Sequence, residues 1–165
     1  MAEKPMYREM MTDLERTVSE GGTAEEVLKA VCDYLCREHP ECDWAGYYLV
    51  DPSAEGELFL GPYAGAPTEH DRIRFGEGVC GQAASGLKTF LVDDVAEEDN
   101  YLSCSPEVRS EIVVPVFHEG VLAGEIDLDS HHISGFGPED GEFLEWLAGL
   151  TAEFADRARK GEGGS

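Results

Sequence analysis

The most constraining stretch of the chain runs from Glu111 to Asp129. Glu111 opens an apolar run, Ile112-Val113-Val114-Pro115-Val116, that ends at Phe117; a second run, Val121 to Asp129, follows across His118-Glu119-Gly120. Runs rich in β-branched residues on either side of a short glycine-containing connection read as an antiparallel hairpin. Side chains alternate between faces along a strand, so Asp127 and Asp129 share one face while Ile126 and Leu128 share the other. Such a strand has two possible homes. Its acids form a solvated surface, or they line a pocket on the far side of a core.

The rest of the chain supplies the layers. Residues 7–19 read as a helix, with Met6, Met10, Leu14 and Val18 near one face, and Gly21-Gly22 ends it. A second helix spans residues 23–38. Thr23 caps it, Glu26 completes a capping box, and Val27, Ala30, Val31, Tyr34 and Leu35 make its apolar stripe. Cys32 and Cys36 lie one turn apart beside that stripe. With no second pair and only an isolated His39 nearby, they and Cys42 read as small buried residues rather than metal ligands. Strands are expected over Trp44–Val50, Glu57–Tyr63, Glu69–Phe75 and Thr89–Val92; in the first, Trp44, Gly46 and Tyr48 share a face.

Gly76, Gly78 and Gly81 lead into a short helix over Gly78–Ser85. Cys80 then lies near a helix N-terminus, where the dipole lowers a thiol pKa. A polar loop from Asp93 to Pro106 carries Cys104, and a short helix is expected over Pro106–Arg109. The last helix covers residues 138–159, with Pro138 in its first turn and Phe143, Leu144, Leu147, Leu150 and Phe154 on its apolar stripe; residues 161–165 read as a disordered tail. This order predicts one α+β domain over residues 1–160, with N- and C-terminal helices packed on a mostly antiparallel sheet of about six strands.

Several short motifs coincide. Gly76-x-Gly78-Val79-Cys80-Gly81 is followed by Asp94-Val95, by the loop cysteine Cys104, by Ser110-Glu111-Ile112-Val113-Val114-Pro115, and by Gly124-x-Ile126-Asp127-x-Asp129-Ser130. Together with Asp43-Trp44-Ala45-Gly46-Tyr47-Tyr48 and Leu60-Gly61-Pro62-Tyr63, they resemble the free methionine-(R)-sulfoxide reductases, which are single GAF-domain enzymes. The resemblance implies a GAF fold and thiol-dependent reduction of free L-methionine (R)-sulfoxide. It matches Cys104 to the catalytic cysteine and Cys80 to the Gly-Val-Cys-Gly cysteine, with a Cys80–Cys104 disulfide closing the cycle. It matches Glu111, Asp127 and Asp129 to substrate-binding acids, and Trp44 and Tyr48 to an aromatic wall. It further implies no bound cofactor and no metal, an external dithiol such as thioredoxin, and a homodimer.

The chemistry suits those residue types. A thiolate attacks the sulfoxide sulfur, an acid protonates the departing oxygen, and the resulting sulfenic acid condenses with a second thiol. Carboxylates attract the substrate ammonium, and crowding raises the pKa of one of them. One departure stands out. The family's third cysteine, ten residues before Cys80, is replaced by His70. Cys80 is then the one obvious resolver, unless an external thiol recycles Cys104 directly. A rival class also fits: a non-catalytic GAF module that binds a small ligand or senses redox state. In that reading Trp44 and Tyr48 are core aromatics. A weaker third reading builds a metal site from Asp127, Asp129, His131 and His132.

Charge narrows the partners. The formal net charge is −23, with lysine only at positions 4, 29, 88 and 160. Such a surface repels nucleic acid and anionic membranes, and it also suits a high-salt habitat. No apolar run approaches the roughly 20 residues of a membrane span, and the N-terminus has no signal core. A cytoplasmic protein with its five cysteines reduced is the expectation.

Overall fold

The structure is a computed structural model and describes residues 5–98 and 107–161. Two helices, α1 (Pro5–Ser19) and α2 (Ala24–Glu38), precede β1 (Trp44–Val50), β2 (Glu57–Ala64) and β3 (Arg72–Arg74). Then come α3 (Gly78–Gly86), β4 (Phe90–Val92), a 3-10 turn (Val95–Glu97), β5 (Ser110–His118), β6 (Val121–Ser130) and α4 (Pro138–Arg159). The strands form one six-stranded sheet in the order β3-β2-β1-β6-β5-β4, with every pairing antiparallel. The expected α+β architecture is the one observed.

The local signals act where expected. Thr23 accepts from the Glu26 amide, and the Glu26 carboxylate accepts from the Thr23 amide, so the capping box is complete. β5 and β6 meet through a two-residue turn at Glu119-Gly120. His118 pairs with Val121, and both turn residues have positive φ (51° and 80°), the twist a tight hairpin needs. α1, α2 and α4 cover one face of the sheet. There Leu14, Leu28, Leu35, Tyr47, Ile112, Ile126, Leu128 and Leu147 form the larger core. α3 covers the opposite face over a second cluster that includes Trp44, Tyr48, Cys80 and Val113.

Four expectations need correction. Ala30 is exposed, and Leu28 takes the buried place on α2. β3 is only three residues long. No helix forms over residues 107–109; the Arg109 amide donates to Ser130 O and its carbonyl accepts from Val95 N, so the chain is already extended toward β5. His39 is not isolated. It is buried, its Nε2 lies 2.8 Å from Asp140 Oδ1, and the Tyr7 hydroxyl donates to the same carboxylate oxygen. That cluster ties α1, the end of α2 and the first turn of α4 together. Residues 162–165 of the expected tail lie outside the described residues. Among the described residues no helix is long and apolar enough to cross a membrane.

Candidate functional site

Strand register assembles the site. Across β1 and β6, Trp44 pairs with Asp129, Gly46 with Asp127 and Tyr48 with Glu125. Across β5 and β6, Glu111 pairs with Asp129 and Val113 with Asp127. Directly opposed residues point to the same face. The α3-covered face therefore carries two aromatics and four acids: Glu111, Glu125, Asp127 and Asp129. All four acids are buried, the least so being Glu111 at 4% exposure. The solvated acidic face is overturned, because α3 and its flanking loops exclude water from it.

Two glycines make the close packing possible. A Cβ on Gly46 would lie 2.4 Å from the Trp44 ring, so Gly46 is the space over which the indole lies. A Cβ on Gly81 would lie 2.5 Å from Arg74 O, so only glycine lets α3 sit this close to the loop after β3. The aromatic wall is pinned at both ends. Trp44 Nε1 donates to Ala66 O (2.9 Å) and Tyr48 Oη donates to His70 O (2.8 Å).

Cys80 meets the acids directly. Its Sγ donates to Asp127 Oδ2 at 3.3 Å, and Cys80, Glu111 and Asp127 each place an atom within 4.8 Å of the others. Burial pushes the Cys80 thiol well above its ordinary pKa, and the negative charges of Asp127, Glu125 and Glu111 push it further. This corrects the expectation of a thiol acidified by a helix N-terminus. Cys80 does stand in the first turn of α3, but desolvation and three facing carboxyls outweigh the dipole. Burial likewise raises Asp127, and burial followed by the Asp127 charge holds Glu125 well above the usual carboxylate range.

Sequence reasoning missed Glu125. Neither of its carboxyl oxygens has a hydrogen-bond partner among the described residues. The signal was available: Glu125, Asp127 and Asp129 follow one period-two alternation, and the pattern extends one step further back than the two aspartates.

Space beside these residues comes in two parts. An inner cavity of about 10 Å³, room for about one water, is lined by Tyr48, His70, Ile73, Cys80, Glu111 and Asp127 among others. An outer cavity of about 180 Å³ lies against Trp44, Asp129, Ala66, Glu107, Val108 and His131. Pockets for drug-sized ligands hold roughly 300–1,000 Å³, so the outer space is on the scale of a single amino acid. Cys104 lies outside the described residues. It stands three residues before Glu107 in the sequence, and Glu107 lines the outer cavity. A further cavity, about 550 Å³, is an open groove at α2, β2 and the end of α4. Its one lysine, Lys29, is already engaged by Asp33 and Tyr63 O, and none of the four buried acids lines it.

The four-residue metal reading is not assembled. The His132 ring lies on Glu41 (2.9 Å), while Asp127 faces Cys80. Cys80, Glu111 and Asp127 do converge, each with one potential ligand atom within 4.8 Å of the others.

The fold and site define a single α+β domain in which a thiol sits among buried acids over a water-sized inner cavity, with an amino-acid-sized cavity at Trp44 and Asp129. The description "GAF domain" matches residues 22–154. The free methionine-R-sulfoxide reductase of Saccharomyces cerevisiae is 43% identical over 111 residues, covering 67% of this chain and 61% of the yeast protein; the match thus spans about three fifths of that relative. The structure of the Neisseria meningitidis free methionine-R-sulfoxide reductase in complex with its substrate superposes with a TM-score of 0.86 at 34% identity, covering 96% of this chain and 95% of that one. The type II free methionine-R-sulfoxide reductase of Thermoplasma acidophilum superposes with a TM-score of 0.76, also at 34% identity, over 86% of this chain and 94% of that one. The chain belongs to the GAF-domain family of free methionine-(R)-sulfoxide reductases.

Proposed function

We propose that this protein reduces free L-methionine (R)-sulfoxide to methionine, with Cys104 as nucleophile and Cys80 as resolving thiol. The observation that carries the reading is the Cys80 thiol hydrogen-bonded to Asp127 inside a cluster of buried acids, next to an amino-acid-sized cavity walled by Trp44. The relatives named for this activity, one of them solved with its substrate, support it.

The buried acids attract the substrate ammonium, and Trp44 and Tyr48 pack against the S-methyl group. Asp127, its pKa raised, holds a proton for the sulfoxide oxygen. The Cys104 thiolate forms a bond to the substrate sulfur while Asp127 protonates the oxygen. The S–O bond breaks, the hydroxyl passes to the Cys104 sulfur, and the new S–S bond breaks with its electron pair left on methionine, so Cys104 becomes a sulfenic acid. Asp127, now ionised, sits 3.3 Å from Cys80 Sγ and takes the thiol proton. The Cys80 sulfur then attacks Cys104, water departs and the disulfide forms. One sulfoxide and two thiols yield one methionine, one disulfide and one water. An external dithiol of the thioredoxin type returns both thiols.

A resting Cys80 held protonated among acids makes a poor first nucleophile, which supports the reading of Cys104 as the attacking thiol. Replacement of the family's third cysteine by His70 leaves Cys80 as resolver. The test is a single turnover. Reduced protein is mixed with free methionine sulfoxide and no reductant, methionine is counted per chain, and disulfides are mapped. One methionine per chain with a Cys80–Cys104 bond is expected. No methionine with both thiols intact, and no turnover with added dithiol, would convert the assignment to a ligand-binding module.

A further inference from the structure

We propose that Cys36 and Cys42 form a second, reversible thiol–disulfide couple, separate from the acid pocket. Cys36 lies in the last turn of α2 and Cys42 in the link to β1, and their sulfurs stand 3.6 Å apart. A disulfide needs about 2.05 Å, so closure asks each sulfur to move by less than about 1 Å. Residues 39–43 between helix and strand are turn and irregular backbone, which can absorb that movement. The neighbouring Cys32 does not compete. It lies one turn earlier on α2, and its thiol donates to Pro62 O at 3.6 Å instead.

The two sulfurs are unequal in a way that suits the chemistry. Cys36 is half-buried, whereas Cys42 is buried. The hydrogen bond between them lowers the Cys36 pKa and raises that of Cys42, so Cys36 is the attacking thiolate and Cys42 keeps the proton. The oxidant is a hydroperoxide. The Cys36 sulfur attacks a peroxide oxygen, the O–O bond breaks and an alcohol or water leaves, which makes Cys36 a sulfenic acid. The Cys42 sulfur then attacks Cys36, the S–O bond breaks, and the hydroxide leaves as water with the Cys42 proton. Two thiols and one hydroperoxide give one disulfide, one alcohol (or water) and one water; an external dithiol reverses the state.

The couple sits on the helix side of the sheet, in the core opposite Cys80. It nevertheless touches the site from behind. The Cys42 thiol shares its one proton between Cys36 and Trp44 O, which lies 3.4 Å away, and the adjacent Asp43 amide donates to Asp129 O at 2.9 Å. Closing the disulfide removes that thiol donor from the backbone carrying the aromatic wall. This consequence for substrate binding rests on the proposed function; the couple itself does not.

The test uses the full chain with Cys80→Ser and Cys104→Ser, so that neither pocket thiol contributes and no methionine sulfoxide is needed. Reduced protein is treated with hydrogen peroxide, digested without reductant and mapped by mass spectrometry. The expected product is two hydrogens lighter, links the Cys36 and Cys42 peptides, and is restored by dithiothreitol. Adding Cys42→Ser is expected to strand Cys36 as a sulfenic acid that dimedone labels, with little labelling when Cys42 is present. Cys36 trapped by dimedone equally with and without Cys42, a Cys32–Cys36 bond in place of the proposed one, or persistence of both free thiols through peroxide treatment would overturn the proposal.

Discussion

Glu125→Gln is expected to stabilise the protein at neutral pH, by an amount that grows as pH rises. Glu125 is fully buried, its carboxyl oxygens lack hydrogen-bond partners among the described residues, and burial with the Asp127 charge holds its pKa well above the ordinary value. In the unfolded chain the same carboxyl ionises near 4.3. Between that value and its folded pKa, the folded protein binds one more proton than the unfolded chain, so this group's contribution to stability falls as pH rises. It is fully present below about pH 4 and is lost progressively above that. Each pH unit in the window corresponds to about 1.36 kcal/mol, which sets a ceiling near 4 kcal/mol at pH 7 for a carboxyl that stays protonated there. Glutamine keeps the shape and cannot ionise, so it escapes the penalty. The assay is urea unfolding of both proteins at fixed salt, at pH 4.5 and pH 7.5. The variant should gain about 1–4 kcal/mol over the parent at the higher pH and little at the lower. A gain that is constant with pH, or that shrinks as pH rises, would refute the reasoning and show that Glu125 ionises as freely in the fold as outside it.

Two further outcomes concern the thiol and the wall. Asp127→Asn should lower the pH midpoint for alkylation of Cys80, read peptide by peptide, since it removes the nearest charge; the midpoint should stay above an ordinary thiol's because burial is the larger cause and persists. An unchanged midpoint would remove Asp127 from the electrostatics of the site. Gly46→Ala places a Cβ 2.4 Å from the Trp44 ring and 2.9 Å from Tyr63 Cβ, so unfolding should show a loss of about 1–3 kcal/mol from overpacking, and KM for methionine sulfoxide should rise as the indole shifts toward the cavity. Parent-like stability together with parent-like KM would count against the indole's placement over Gly46.

What the sequence determined by itself was local. Alternation along β6 placed Asp127 and Asp129 on one face and Leu128 on the other, because that periodicity is a property of the pleat. Thr23 and Glu26 fixed the start of α2 within four residues of chain. The clustered motifs around Cys80, Glu111 and Asp127 were legible as a family likeness without any geometry. The tertiary structure decided whether the acidic face meets water, and it does not, because α3 lies across it; no pattern within β6 reports what covers the strand. That covering turned Cys80 from a thiol expected to be acidic into one held protonated, since desolvation and the three facing carboxyls come from β5 and β6, far away in the chain. It made Glu125 a costly buried acid rather than an exposed one. It also brought His39 against Asp140 across 101 positions, and it turned Cys36 toward Cys42 rather than Cys32, its partner by helical spacing. Charge burial and sulfur–sulfur contact depend on which surfaces meet, and that is settled only when the layers pack.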